Sequence, residues 1–449
     1  MKKEVLIILC LFFAVSINGQ NYNTNIWYFG YRCGLDFNSA TPVVLTNGKV
    51  NTHEGCATVC DSEGNLLFYS DGISVWDSTH SYMPHGTVLL GGNSTTNSCI
   101  IVPKPNNDSL FYIFTLDYAE NNLIYGLRYS IVNMNLNGGK GDVDPTKKNK
   151  LIYAKSCEKM QAVSHANGTY FWLVTHEWGT NAFKTFLIDS DSLHTTPVIS
   201  NIGATPSYVD NCMQSMGFMK ATISGSKIAL AHYSLGAIEL FDFDNSTGIL
   251  SNCQTDVTCH PDAYGLEFSP DETKMYVCDI INPNLYQYDI SGGSFSDPIN
   301  ISNSLVNGGG LQLGPDGKIY VSDVYTSYLD VINNPNGLGE DCDYVNDAIY
   351  LESRTCGLGM PNLLLYKGFH FVGLDKKTKN ENTIFPNPSD GYINVSGENI
   401  EMIEIYNIKG TVVYKGTNKR IELSTNPKGL YFVYLISNRG VTIHKLILM

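Results

Sequence analysis

Charge is what this chain is short of. Asp, Glu, Lys and Arg make up 16% of its 449 residues, against the quarter or so usual in soluble domains. The few charges lean acidic, with a formal net of −14 and no Lys/Arg stripe, which argues against nucleic acid and anionic membrane surfaces as partners. Catalytic signatures are lacking as well. There is no G-x-S-x-G elbow and no sialidase-type Asp box. His53-Glu54 and His176-Glu177 begin like zinc-protease motifs, but neither has a second His four residues after the first. The stretch NGGKGD (137–142) has the glycines and Lys of a phosphate loop but no following Ser/Thr or helix pattern, so it is a turn. After the first twenty or so residues no run is apolar enough to span a bilayer.

What is plentiful is Gly, Tyr and Phe, at 41, 28 and 19 residues. Turn formers and aromatics with few charges predict strands joined by tight turns. The length suits one large β architecture plus a small domain. The chain opens MKKEVLIILCLFFAVSINGQN, a basic tip, an apolar run from Val5 to Val15, and then small and polar residues. That is the pattern of a secretory signal peptide over residues 1–19, cut near Gly19/Gln20. Cys10 follows Leu9 rather than a small residue, which argues against a lipid anchor. The other eleven of the twelve cysteines would enter an oxidising compartment, where some should pair and at least one stays free. Cys253–Cys259 and Cys342–Cys356 are the local pairs that would each close a short loop. No metal or other cofactor is expected. Cys56-x3-Cys60 sits on a strand pattern, and Cys259-His260 lacks a partner at finger-like spacing.

One unit recurs along the body: a turn rich in Gly, Asn or Asp, then four or five apolar and aromatic residues. It reads SEGNLLFYSD (62–71), NNDSLFYIFT (106–115), ANGTYFWLVT (166–175), SGSKIALAHY (224–233), PDETKMYVCD (270–279) and PDGKIYVSD (315–323). Successive units lie roughly 44 to 59 residues apart, the length of a four-stranded propeller blade. A short apolar strand precedes each unit, as in CATVCD, MQAVSH and GLEFSP, and another follows most of them. The prediction is an all-β, seven-bladed β-propeller, with six blades the nearest alternative. The last blade would be closed by MPNLLLYKGFHFV (360–372) adding a strand to NIWYFGYRCGLDFNSATPVVL (25–45).

Lys and Asn cluster at 376–383, which reads as a linker between a propeller at 20–375 and a second unit at 384–449. That second unit has short alternating strands at close spacing, the pattern of a small Ig-like β-sandwich.

Several residues could do chemistry. His53, Glu54, Glu158, Lys159, His165 and His176 fall near the ends of inner strands, where propellers expose their axial face. Surface ion pairs and strand caps are the blander reading. Trp178, in the loop HEWGTN, is expected to be exposed and able to stack on a sugar, whereas Trp172 reads as core. Asp242, Asp244 and Ser246 alternate oxygens before Gly248 as a weak calcium candidate, although Asx bonding in a hairpin turn explains the run as well.

SPDETKMYV and GPDGKIYV resemble the turns of YVTN-type propellers. With WYFGYRCGLDF, GNLLFYSDGISVWDSTHSYMPHG, FDFDNSTGILSN and CGLGMPN, the body resembles the N-terminal propeller of large secreted Bacteroidota proteins. The C-terminal unit resembles the type A sorting domain of the type IX secretion system. The match rests on Phe385, Pro386, Asn387 and Pro388, on IEIYNIKG (403–410) with Gly410, on NPKGLYFVYL (426–435) with Gly429, and on Lys445-Leu446. The resemblance implies recognition by the type IX machinery, removal by a sortase-like peptidase, and release or tethering at the outer-membrane surface. Together these features predict a non-catalytic binding or adhesion module for a glycan, a matrix component or another envelope protein. The alternative is a secreted polysaccharide- or peptide-degrading enzyme using Glu158, His165, His53 and Glu54.

Overall fold

The computed structural model describes residues 24–366 and 383–449, apart from 208–211, 259–261, 282–283, 303–304, 306, 397–399, 408–410 and 438–439. The proposed signal peptide and nearly all of the proposed linker lie outside these residues. The chain divides into two compact units, 1–373 and 374–449. Both are β throughout, and the helical turns among the described residues are four short 3-10 segments. No helix among them is long and apolar enough to cross a membrane.

Among the described residues the first unit is a succession of seven antiparallel sheets of three to five strands, each a meander in chain order over most of its length. Their first strands are Ile26–Phe29, Ala57–Cys60, Cys99–Pro103, Ser156–Ser164, Met219–Ala221, Ala263–Phe268 and Gly308–Leu313. These first strands pack side by side in order. The seventh sheet meets the first, where Trp27 and Phe37 set their rings 5.5 and 5.3 Å from that of Tyr320. The arrangement is a closed, propeller-like ring.

The continuous apolar runs follow from this packing. Cys99 and Ile101 face the second sheet while Ile100 and Val102 face the fourth. A strand buried on both faces has no polar side to show. The recurring turns are equally local in origin. Asp61 accepts from the N–H groups of Glu63 and Asn65, Asn107 from Ser109 and Leu110, and Asn167 from Thr169 and Tyr170. Each closes the hairpin between the first and second strands of its sheet by the same Asx bonding.

Closure departs from the expected strand exchange. The chain does return to the first two sheets, through bridges from Tyr31 to Thr355 and from Cys56, at the start of the second sheet, to Pro361. Yet among the described residues 360–366 form no ladder with Ile26–Phe29. Their backbone groups are spent across the axis instead. Leu358 N–H donates to His53 O at 2.6 Å, and Asn362 N–H to Cys56 O at 2.7 Å. Asn362 Nδ2 reaches Met160 O at 3.1 Å, and Gln161 Nε2 reaches Leu363 O at 3.0 Å. The glycines of CGLGMPN permit this path. A Cβ on Gly359 would lie 2.1 Å from the Glu54 carbonyl carbon, and one on Gly357 2.3 Å from His53 O.

The second unit is two sheets, one of Thr383–Phe385, Tyr392–Ser396 and Arg420–Glu422, the other of Val412–Gly416, Ile400–Asn407, Gly429–Ser437 and Gly440–Leu448. Ile393, Ile421, Ile403, Val433 and Leu446 share one core between them.

Candidate functional site

At the end of the ring where the first strands begin, acidic side chains crowd the axis. Glu54 precedes the second sheet's first strand, and Glu158 lies early in the fourth sheet's. Both are buried, at 3% and 0% exposure. Thr96 donates to Glu158 Oε2 from its N–H at 2.9 Å and its hydroxyl at 3.0 Å, and Ala119 N–H donates to Oε1 at 2.7 Å. Burial nonetheless pushes the Glu158 carboxyl up to about 7. Burial, then the charge of Glu158, raise Glu54 well above the usual carboxylate range. The Tyr264 hydroxyl lies beside this carboxyl and partly offsets the rise, although among the described residues neither Glu54 Oε2 nor the Tyr264 hydroxyl makes a hydrogen bond of good geometry. The loop Thr95–Ser98 is fully buried and roofs the acids, with Asn97 Oδ1 accepting from Met219 N–H at 3.1 Å.

The outcome for the predicted residues is mixed. Lys159 is buried, its ammonium donating to Ser215 O at 2.9 Å and to Met216 O, and burial lowers it to about 8. His176 is buried, edge-on to Phe183 at 4.6 Å, and burial holds it well below the ordinary imidazole range. None of Glu54, Glu158, Lys159 and His176 is a surface group, so a surface ion pair does not describe them. His165 sits in the turn after Ser164, stacked 5.4 Å from Trp172. Seven residues of extended chain put it about 20 Å from Glu158, at the far end of the strand.

Trp178 corrects the expectation of exposure. It is 4% exposed and packed with Leu123, Cys157, Cys212 and Met216, because the segment before the fifth sheet folds over its loop. Trp172 is core, as its strand pattern suggested. In the calcium candidate, Asp242 is held by Lys227 at 2.8 Å and Asn252 at 2.7 Å. Asp244 accepts from Ser246 N–H and hydroxyl at 2.9 and 2.6 Å. This is Asx-turn bonding, and it leaves no converged oxygen cage.

The cysteine pairs fare differently. Cys342 and Cys356 are both free and buried, at opposite ends of the outer strand Tyr344–Tyr350. Cys342 O meets Asn334 N–H at 2.9 Å, whereas Cys356 Sγ meets Tyr328 O at 3.3 Å. An extended strand between two cysteines holds them apart, so sequence nearness misled. Cys253 is a free thiol 3.6 Å from Glu239 Oε1, and Cys259 lies outside the described residues.

A partly exposed aromatic group borders the buried acids. Tyr31, in the first sheet's first turn, lies with its hydroxyl 2.9 Å from His53 Nδ1. Tyr325, between the second and third strands of the seventh sheet, stacks 5.7 Å from His53 and 6.4 Å from Tyr31. Tyr325 is 63% exposed and held at φ +64°, a left-handed conformation costly for a side chain of this size. Sequence reasoning passed over Tyr31 and Tyr325. The usable signal was a tyrosine where the inter-strand turn would favour Gly or Asn. Surface cavities of about 470 and 490 Å³ lie elsewhere, one lined by Ile301 and Tyr344, the other by Tyr112 and Tyr129.

In the C-terminal unit the matching residues do structural work. Asn387 Nδ2 donates to Lys445 O at 2.6 Å and its Oδ1 accepts from Ile447 N–H at 3.0 Å, tying the start of the domain to its last strand. Leu446 is buried in the core, Lys445 and Phe385 are exposed, as are Pro386, Pro388 and Gly429, and Gly410 lies outside the described residues. Residues 383–449 match the secretion system C-terminal sorting domain. A chain with this domain is exported by the type IX secretion machinery, to the outside of the cell or the outer-membrane surface.

No curated protein matches the chain. Among solved structures it is similar to a functionally unknown protein from Desulfotomaculum acetoxidans, at 14% identity and TM-score 0.40 over 82% of this chain and 94% of that one. It is also similar to a putative 6-phosphogluconolactonase from Bacteroides fragilis, at 14% identity and TM-score 0.39 over 80% and 91%. A periplasmic gluconolactonase from Pseudomonas aeruginosa follows at 10% identity and TM-score 0.38 over 84% and 94%. Similarities of this size assign no activity to the chain.

Proposed function

We propose that this chain is a secreted or surface-held binding module, a seven-bladed propeller at 20–375 with each of the seven sheets as one blade. A signal peptide (1–19) takes it to the periplasm. After a linker (376–383), the Ig-like sandwich 384–449 is the export label, removed by a sortase-like peptidase. The ligand is a glycan, a matrix component or another envelope protein, of the kind found by Bacteroidota cells.

The observation that carries this reading is the contrast at one end of the ring. Tyr325 faces solvent with Tyr31 and His53 half-buried beside it, while Glu54 and Glu158, the acids that a hydrolase would need, are buried next to them. Flat aromatic faces stack on the apolar faces of sugars. A second reading, hydrolysis, draws on the raised carboxyls of Glu54 and Glu158, since perturbed acids cluster at active sites. The hydrogen bonds from Thr96 and Ala119 give Glu158 a structural use instead. The test is retention of the exported protein on immobilised polysaccharides and envelope fractions, before and after Tyr325→Ala. Loss of retention with unchanged thermal stability supports the reading, and unchanged retention removes this face from it.

A further inference from the structure

The ten described cysteines are all free thiols here, and two of them meet where the ring closes. Cys33 begins the second strand of the first sheet, and Cys356 lies on the segment returning from the seventh. Cys33 Sγ donates to Thr355 O at 3.2 Å, and the same carbonyl accepts Tyr31 N–H at 3.1 Å. Bond geometry places the Cα of Cys356 about 3 Å from that oxygen, hence within about 6 Å of the Cys33 sulfur. The approach of the backbones is close. A Cβ on Gly30 would lie 2.9 Å from Gly357 N and 3.4 Å from Cys356 Cα. Both thiols are fully buried in one core with Trp27 and Phe29.

We propose that Cys33 and Cys356 join as a disulfide in the exported protein, locking the first sheet to the returning segment. A disulfide needs the two Cα atoms roughly 4.4–6.8 Å apart, so the bond requires the Cys33 and Cys356 thiols to turn from Thr355 O and Tyr328 O toward each other. Type IX export carries the chain out of the reducing cytoplasm. The oxidant is a low-molecular-weight or protein disulfide. One cysteine thiolate attacks it, forming a mixed disulfide and releasing one oxidant thiol. The second thiolate attacks the protein sulfur of that mixed disulfide and releases the other. Two protons leave the protein thiols, and two electrons pass to the oxidant. Burial raises the Cys33 thiol to about 12 and that of Cys356 well above its ordinary value, the latter with a further push from Cys33. Thiolates are therefore scarce once the segment is seated, so bond formation precedes or accompanies ring closure.

The test is peptide mapping of the full chain, refolded with glutathione disulfide and separately collected after export, with free thiols alkylated under denaturing conditions. The expected result is a linked peptide pair containing Cys33 and Cys356, separated by reductant. In thermal melts, reductant should lower the midpoint of the oxidised wild type by several degrees and leave Cys33→Ser unchanged. Alkylation of both residues in the oxidised protein overturns the proposal. So does a link from either to another cysteine, such as Cys56, which lies near both Cys33 and Cys99. Mapping the wild type decides the matter even if the serine variant does not fold.

Discussion

The ring buries carboxylates in two ways. Glu267, on the first strand of the sixth sheet, lies 3.0 Å from the Lys220 ammonium of the fifth. Lys220 also donates to Gln312 of the seventh sheet at 2.5 Å, and Glu267 accepts from Phe268 and Leu313 N–H at 2.9 and 3.1 Å. Three sheets are stapled with every charge answered. Glu54 and Glu158 are as deeply buried, yet neither takes part in an ion pair among the described residues. The nearby Lys159 turns its ammonium to backbone carbonyls instead. A buried acid with a cation can stay charged, whereas one without takes up a proton. Acid clusters on a ring axis therefore do not by themselves announce catalysis.

The largest way to break this contrast is Lys220→Met. It strands Glu267 without a cation and should cost about 3–5 kcal/mol in denaturant unfolding. Adding Glu267→Leu should recover most of that loss. A double variant no better than the single would mean that the pairing matters little. Next comes Gly359→Ala, which drives a methyl into the backbone over Glu54 and should cost about 1–3 kcal/mol, read as a lower unfolding midpoint.

Proton linkage sharpens the contrast further. Glu158 has its folded value raised to about 7, so between the ordinary glutamate range and pH 7 the folded state holds more protons than the unfolded. Its contribution to stability is complete at acid pH and is lost as pH rises through that window. Glu158→Gln should flatten that limb of a Tm-against-pH profile. The smallest effect belongs to Lys159, lowered to about 8. Between there and the ordinary lysine range the folded state holds fewer protons, so stability rises with pH, and Lys159→Met should remove that rise.

Features encoded within a few residues were legible in the sequence. The Asx turns at Asp61, Asn107 and Asn167, the two-faced apolar strands and the Phe385–Pro388 start of the sorting domain depend on near neighbours. Features set by distant contacts were not. Trp178 stands in a polar loop and is buried by Cys212 and Met216. Glu158 looks like a strand-end charge but is covered by Thr95–Ser98, just ahead of the third sheet. Cys342 and Cys356 are close in sequence but sit at opposite ends of a strand. A closing strand from residues 360–372 was anticipated, yet the described part, 360–366, bonds to Cys56, Met160 and Gln161 rather than in a ladder.

The central claim is that the aromatic face binds while the acids beneath it support the fold. One experiment addresses both halves: the exported protein screened on a polysaccharide array, with product analysis of every glycan, alongside Tyr325→Ala and Glu158→Gln. The account predicts retention without new reducing ends, lost in Tyr325→Ala and kept in Glu158→Gln. New reducing ends that disappear in a folded Glu158→Gln protein would contradict it and make the buried pair catalytic.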